Sequence, residues 1–113
     1  MHELSVTENL LKIALSHAKK AKAKRITDLY LVIGQLSSLI DDSVQFYWDI
    51  ISRDTLAEGA RLHFKRIATE LYCMDCQQPY LPEKGELACP ICEGIHIKIL
   101  TGEEFRLDAI EIE

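Results

Sequence analysis

Residues 73–92 read CMDCQQPYLPEKGELACPIC and hold all four cysteines of the 113-residue chain. They form two C-x-x-C pairs, with twelve residues between Cys76 and Cys89. Each pair can occupy a tight turn that points two sulfurs at one centre, and the intervening segment is long enough to bring the second pair round to complete a tetrahedron. Pro90 inside the second pair suits a stiff turn. The pattern predicts a closed, structural zinc site on Cys73, Cys76, Cys89 and Cys92, with no open position for catalysis. Its binding free energy, on the order of 10 kcal/mol, would hold together a segment too short to bury a core of its own. Three other readings stand beside it. Two disulfides would suit a secreted chain, but Met1, His2 and Glu3 are followed by no apolar signal region. A redox dithiol needs one C-x-x-C at a helix start, whereas two pairs stand here among turn residues. An iron–sulfur cluster shares the thiolate preference.

Working outward, the chain has room for a small domain plus this metal-stapled module. An apolar content of 48% with 27% charged residues describes a soluble globular protein, and no run approaches the length of a membrane span. A cytoplasmic location is expected, with no membrane partner. The formal charge of −5 argues against nucleic acid as the main ligand. Around the cysteines, Tyr80, Lys84 and Lys98 are outweighed by Asp75, Glu83, Glu86 and Glu93. This disfavours the rival function, a zinc-ribbon adaptor for protein or nucleic acid.

Residues 5–22 predict an amphipathic helix with a wide apolar arc of Leu4, Val6, Leu10, Leu11, Ile13, Ala14, Leu15 and Ala18. Ser5 with Glu8 fits a capping box, and the run Lys19, Lys20, Lys22, Lys24 and Arg25 suits the negative end of the helix dipole. His17 falls inside the arc and reads as a packed histidine. Residues 26–33 (ITDLYLVI) read as a buried strand with Gly34 at a bend. Asp41 and Asp42 look like caps of a second helix running to about Arg53, with Gln45 closing a box after Asp42 and apolar side chains on most sides. Residues 61–68 alternate as a half-exposed strand, with His63 on the solvated face. After Cys92, Ile95, Ile97 and Ile99 alternate with His96 and Lys98, and EFRLDAIEIE reads as a last strand. The expected fold is α+β: two helices packed on a three-stranded sheet of residues 26–34, 60–68 and 104–112. A zinc-ribbon-like four-cysteine module is inserted between the second and third strands.

No Ser/His/Asp set, phosphate loop or H-E-x-x-H is present, so an enzyme is disfavoured. The first residues carry different chemistry. The amine of Met1, the amide nitrogen of His2 and its imidazole can wrap a metal in one plane, and square-planar nitrogen and oxygen sites suit Ni(II) or Cu(II). Alone, a histidine at position 2 is usually an ordinary terminus.

MHELSVTENLL, IGQLS, AEGARLHF, the two cysteine pairs and EFRLDAIEIE, spread over nearly the whole chain, together closely resemble the HypA/HybF family of hydrogenase nickel-incorporation proteins. The resemblance implies a nickel metallochaperone that loads the [NiFe] site of hydrogenase large-subunit precursors with the GTPase HypB, some members also serving urease. It implies Ni(II) as transient cargo on His2 with Met1 and Glu3, joined in some relatives by a loop acid, here Asp41 or Asp42. It implies structural Zn(II) on the four cysteines. The implied domains are a nickel-binding α+β domain of residues 1–69 plus 101–113 and a zinc-binding domain of residues 70–100; a homodimer is an alternative to the monomer. One departure stands out: the family's second pair is commonly followed by Gly-Ser, whereas Glu93-Gly94 follows here, which bears on the form of that turn and not on the ligand set.

Overall fold

A computed structural model describes residues 3–39, 41–82 and 86–113. Along the chain run α1 (Glu3–Lys20), β1 (Ile26–Gly34), α2 (Asp41–Ile51), β2 (Arg61–Ile67), β3 (Glu70–Cys73), β4 (Gln78–Tyr80), β5 (Ile97–Thr101) and β6 (Phe105–Ile112). They form two three-stranded sheets, ordered β2-β1-β6 and β4-β3-β5. The first contains the three strands expected from the sequence, and the second falls between β2 and β6, where the cysteine module was placed. The chain divides into two compact units, Met1–Val32 with Ser38–Lys65 and Arg106–Glu113, and Ile33–Ser37 with Arg66–Phe105.

In the first unit α1 and α2 pack on each other. The buried stripe of α1 is Thr7, Leu10, Ala14 and Ala18, steps of three and four that keep one face on its partner. This stripe is narrower than the sequence arc. Leu4 and Ile13 are about 40% exposed and His17 is exposed, so His17 is not the packed histidine expected. Ser5 is no N-cap either, because it lies inside a helix that already includes Glu3, an acid suited to the positive end of the helix dipole. The helix closes as expected with His17, Lys19 and Lys20 in its last turn. Lys22 takes a left-handed conformation (φ 57°), and the amides of Ala23 and Lys22 return to the carbonyls of Ala18 and Lys19 at 3.0 and 3.1 Å.

Helix α2 is less buried than its composition suggests. Val44 and Trp48 are its buried residues, while Phe46 is 60% exposed. A helix packed along one stripe leaves its other faces in water whatever their side chains. Gln45 closes no capping box, since its amide nitrogen donates to Asp49 and its oxygen accepts the Leu62 amide of β2, at 2.8 and 3.0 Å.

The central strand β1 buries Leu29, Leu31, Val32 and Ile33. On its polar positions it meets both neighbours. His63 of β2 contacts the Asp28 carboxylate at 2.7 Å and stacks on Tyr30 with ring centroids 4.7 Å apart. The Tyr30 hydroxyl donates to Glu111 of β6. His63 is therefore a paired cross-strand residue rather than a bare surface one, because β1 presents a carboxylate and a ring beside it. The hydrogen bond from His63 holds the Asp28 carboxyl below its ordinary value, and the bond to Glu111 pushes Tyr30 up to about 12. Strand β6 is tied down at its end, where Lys24 and Arg25 exchange backbone bonds with Glu113 at 2.7 and 2.9 Å.

The second unit begins where chain segments approach too closely for a side chain. A Cβ on Gly34 would stand 2.0 Å from the Gly102 carbonyl oxygen, and the Gly34 amide donates to the Glu104 carbonyl at 2.7 Å. Gly102 itself adopts φ 118°, and a Cβ there would meet Thr69. These two glycines let the residue 33–37 and 102–104 segments cross backbone to backbone.

Candidate metal centre

The first C-x-x-C is the turn of the β3–β4 hairpin. Leu71 pairs with Tyr80, Tyr72 with Pro79 and Cys73 with Gln78, leaving residues 74–77 to turn the chain. Strand β5 lies on the other side of β3, with Cys73 opposite Ile97. The second C-x-x-C makes the same turn without a hairpin behind it. Gln77 and Glu93 donate their amides to the carbonyls of Cys73 and Cys89, both at 2.8 Å, and both adopt left-handed backbone, φ 55° and 58°. In each knuckle the first sulfur accepts a backbone amide, from Cys76 to Cys73 and from Ile91 to Cys89, both at 3.4 Å. The Tyr80 hydroxyl, at the end of β4, donates to the Leu87 carbonyl beside the second knuckle.

These turns bring the four sulfurs within 4.8 Å of one another. Cys73 and Cys92 are 3.7 Å apart, Cys76 and Cys89 3.9 Å. Metal–sulfur bonds of about 2.3 Å require sulfurs about 3.8 Å apart on the edges of a tetrahedron, so the cage fits one four-coordinate ion and leaves no space for a multi-iron cluster. All four cysteines are free, and disulfide sulfurs would be about 2 Å apart. Cys73 and Cys89 are buried, Cys76 is half-buried and Cys92 exposed. The crowded sulfurs shift one another's titration. Hydrogen bonding to Cys92, burial and the other two sulfurs push Cys76 up to about 12, whereas the backbone amides of Cys92 and Ile91 lower Cys89 to about 7. Four thiolates in this volume repel one another unless a dication neutralises them.

Two neighbours shape the cage that the spacing of cysteines alone did not reveal. Gly94 sits close against the cage, since a Cβ there would lie 3.2 Å from the Cys92 sulfur and 3.3 Å from Asp75, and those side chains would have to give by a few tenths of an ångström. Asp75, inside the first knuckle, contacts His96 at 3.4 Å. Glu93, and not a glycine, occupies the left-handed position that closes this knuckle, φ 58°. Glu93→Gly is expected to raise stability by about 1 kcal/mol, read as a higher denaturant midpoint with unchanged metal content.

The other expected site residues are scattered or undescribed. Met1 and His2 lie outside the described residues. Glu3 opens α1 half-buried, and Asp41 and Asp42 open α2. Among the described residues, the four cysteines are the one group of three or more His, Cys, Asp or Glu side chains close enough to share a metal. Among the described residues, no helix is long and apolar enough to cross a membrane.

A family model described as "Hydrogenase/urease nickel incorporation, metallochaperone, hypA" matches residues 1–112. A hydrogenase maturation factor HypA of Dehalococcoides mccartyi is 42% identical over 113 residues, all of this chain and 95% of that protein. The hydrogenase maturation factor HybF of Escherichia coli is 33% identical with full coverage of both. The solution structure of the Ni metallochaperone HypA from Helicobacter pylori superposes with a TM-score of 0.69 at 27% identity, over 99% of this chain and 97% of that one. A second HypA solution structure reaches 0.74 at 28% identity, over 100% and 97%. The family serves protein maturation and is not a class of enzymes. A match from one end of the chain to the other, on a fold that those structures share, makes this chain a member of the HypA family of nickel metallochaperones for hydrogenase maturation.

Proposed function

We propose that this chain carries Ni(II) as transient cargo on its N-terminal residues and keeps Zn(II) permanently in the four-cysteine cage. The observation that carries the zinc half is the cage itself, a four-thiolate donor set with edges of 3.7 and 3.9 Å around a volume for one ion. Zn(II) there supplies positive charge and a crosslink between the knuckles. The nickel half rests on the family's function together with the chemistry of Met1, His2 and Glu3. An amine, a deprotonated amide and an imidazole in one short arm favour a square-planar nickel complex, with Glu3 or an acid at the start of α2, Asp41 or Asp42, as a further oxygen ligand.

The division of labour follows from rigidity. The cage sulfurs are fixed by backbone bonds and strand pairing, so their ion stays. Nickel carried as cargo must instead be held more loosely, so that it yields to a better organised acceptor. In this reading residues 1–69 with 101–113 handle nickel and residues 70–100 hold zinc. The acceptor is the large-subunit precursor of a [NiFe]-hydrogenase, reached in the cytoplasm with the GTPase HypB, and urease is a second client. The membership in a hydrogenase and urease nickel-incorporation family supports these partners. A backbone nitrogen must lose its proton to bind, so nickel affinity falls as pH falls. His2→Ala is expected to weaken nickel binding at least a hundredfold by calorimetric titration at neutral pH while leaving zinc content unchanged. Wild-type nickel affinity in that variant would refute the terminal site.

A further inference from the structure

Strand β5 is terminal in the β4-β3-β5 sheet, and Lys98, Ile99 and Leu100 along it are all exposed. An apolar strand with an open edge is a template for pairing with another chain, and a lysine is a usual guard against indiscriminate pairing. Alternation along the sheet turns Leu71 and Cys73 to the buried side. Tyr72, Met74, Lys98 and Leu100 line a shallow groove of about 250 Å³. Met74 and Leu100 are each 43% exposed, and Tyr72 lies directly opposite Lys98. Among the described residues Lys98 pairs with no carboxylate. Among the described residues, the patch thus combines apolar side chains with one cation that has no carboxylate partner.

We infer that this edge and groove dock an extended segment of a partner protein that presents an aliphatic side chain and a carboxylate two residues apart. Backbone bonds along the open side of β5 would supply affinity, as in strand addition to other sheet edges. Side chains opposite Lys98 and Leu100 on an added strand share one face and stand two residues, about 6.7 Å, apart. Opposite Leu100, which is 43% exposed, an aliphatic group covers that side chain as a cross-strand apolar pair. Opposite Lys98 a carboxylate supplies the missing counter-charge as a cross-strand pair. The chain's net charge of −5 would by itself favour a basic peptide, so local and overall electrostatics make opposite predictions.

The test uses the full chain with its metal, isotopically labelled, titrated with the blocked peptide acetyl-Thr-Leu-Thr-Glu-Thr-amide and with the same peptide carrying Lys in place of Glu. The inference expects amide shifts confined to β5 and residues 72–74, with the Glu peptide binding at least tenfold tighter. Lys98→Glu should reverse that preference, which a loss of folding would not do. Absence of shifts, shifts elsewhere, or equal affinity for the two peptides would overturn it. So would concentration-dependent broadening of β5 without peptide, which would make a second copy of this chain the occupant.

Discussion

Cys73→Ser is expected to cut bound zinc to less than about a tenth of an ion per chain and to unfold the β4-β3-β5 sheet. Cys73 ends β3, is fully buried, accepts the Cys76 amide and stands 3.7 Å from the Cys92 sulfur. A serine hydroxyl there is a poor ligand for a soft ion and leaves three thiols without their cation. The loss is large because binding free energy of order 10 kcal/mol is also folding free energy for a short segment. Few large side chains in the second unit are fully buried, Leu71 and Ile33 among them. Cys92→Ser provides the control, because its side chain is exposed and contributes little packing. If the ion does the holding, both variants lose zinc and both collapse the amide dispersion of β3 and β5, while signals from α1 and α2 keep their positions. Retention of a folded sheet in zinc-free Cys92→Ser would assign the stability to packing instead.

Gly34→Ala is expected to lower the melting temperature by about 12 °C or more, corresponding to at least about 3 kcal/mol. The new methyl would meet backbone atoms at 2.0, 2.1 and 2.5 Å, the carbonyl group of Gly102 and the amide of Glu103, and backbone cannot swing aside as a side chain can. Relief requires the crossing segments to separate. That would stretch the Gly34–Glu104 and Leu36–Gly102 bonds, now 2.7 and 2.8 Å. Gly59→Ala is a useful contrast. That position has φ 80° and open space around it, so its effect is limited to backbone strain of about 1–2 kcal/mol. Calorimetry on both variants separates collision from strain, and equal losses would show that the crossing tolerates a methyl.

The large elements of this fold were legible because their signals are local. The apolar run of residues 26–33, the alternation of residues 61–68 and the apolar spacing of α1 reported their structures directly, whereas the strand order β2-β1-β6 was not read from the sequence. The cysteine spacing likewise specified the cage. What was not legible depends on a partner distant in sequence. Phe46 and Ile50 are among the apolar side chains found on most sides of the second helix, yet both are exposed, because only one face of α2 meets α1. Strands β3 and β4 are only four and three residues long, and it is their pairing around the Cys73–Cys76 turn that makes them strands. His63 looked solvated because nothing in its own strand announces Asp28 across the ladder. Gln45 looked like a capping residue until β2 claimed its carbonyl.

The most direct test of the central claim is metal analysis of the untagged chain, counting zinc as purified and nickel after titration and removal of free ion, beside the same chain with one glycine added ahead of Met1. The account predicts one zinc in both, and one nickel in the untagged chain only, because the added residue converts the Met1 amine into an amide. One nickel bound equally well by the extended chain, or nickel gained at the expense of zinc, would contradict it.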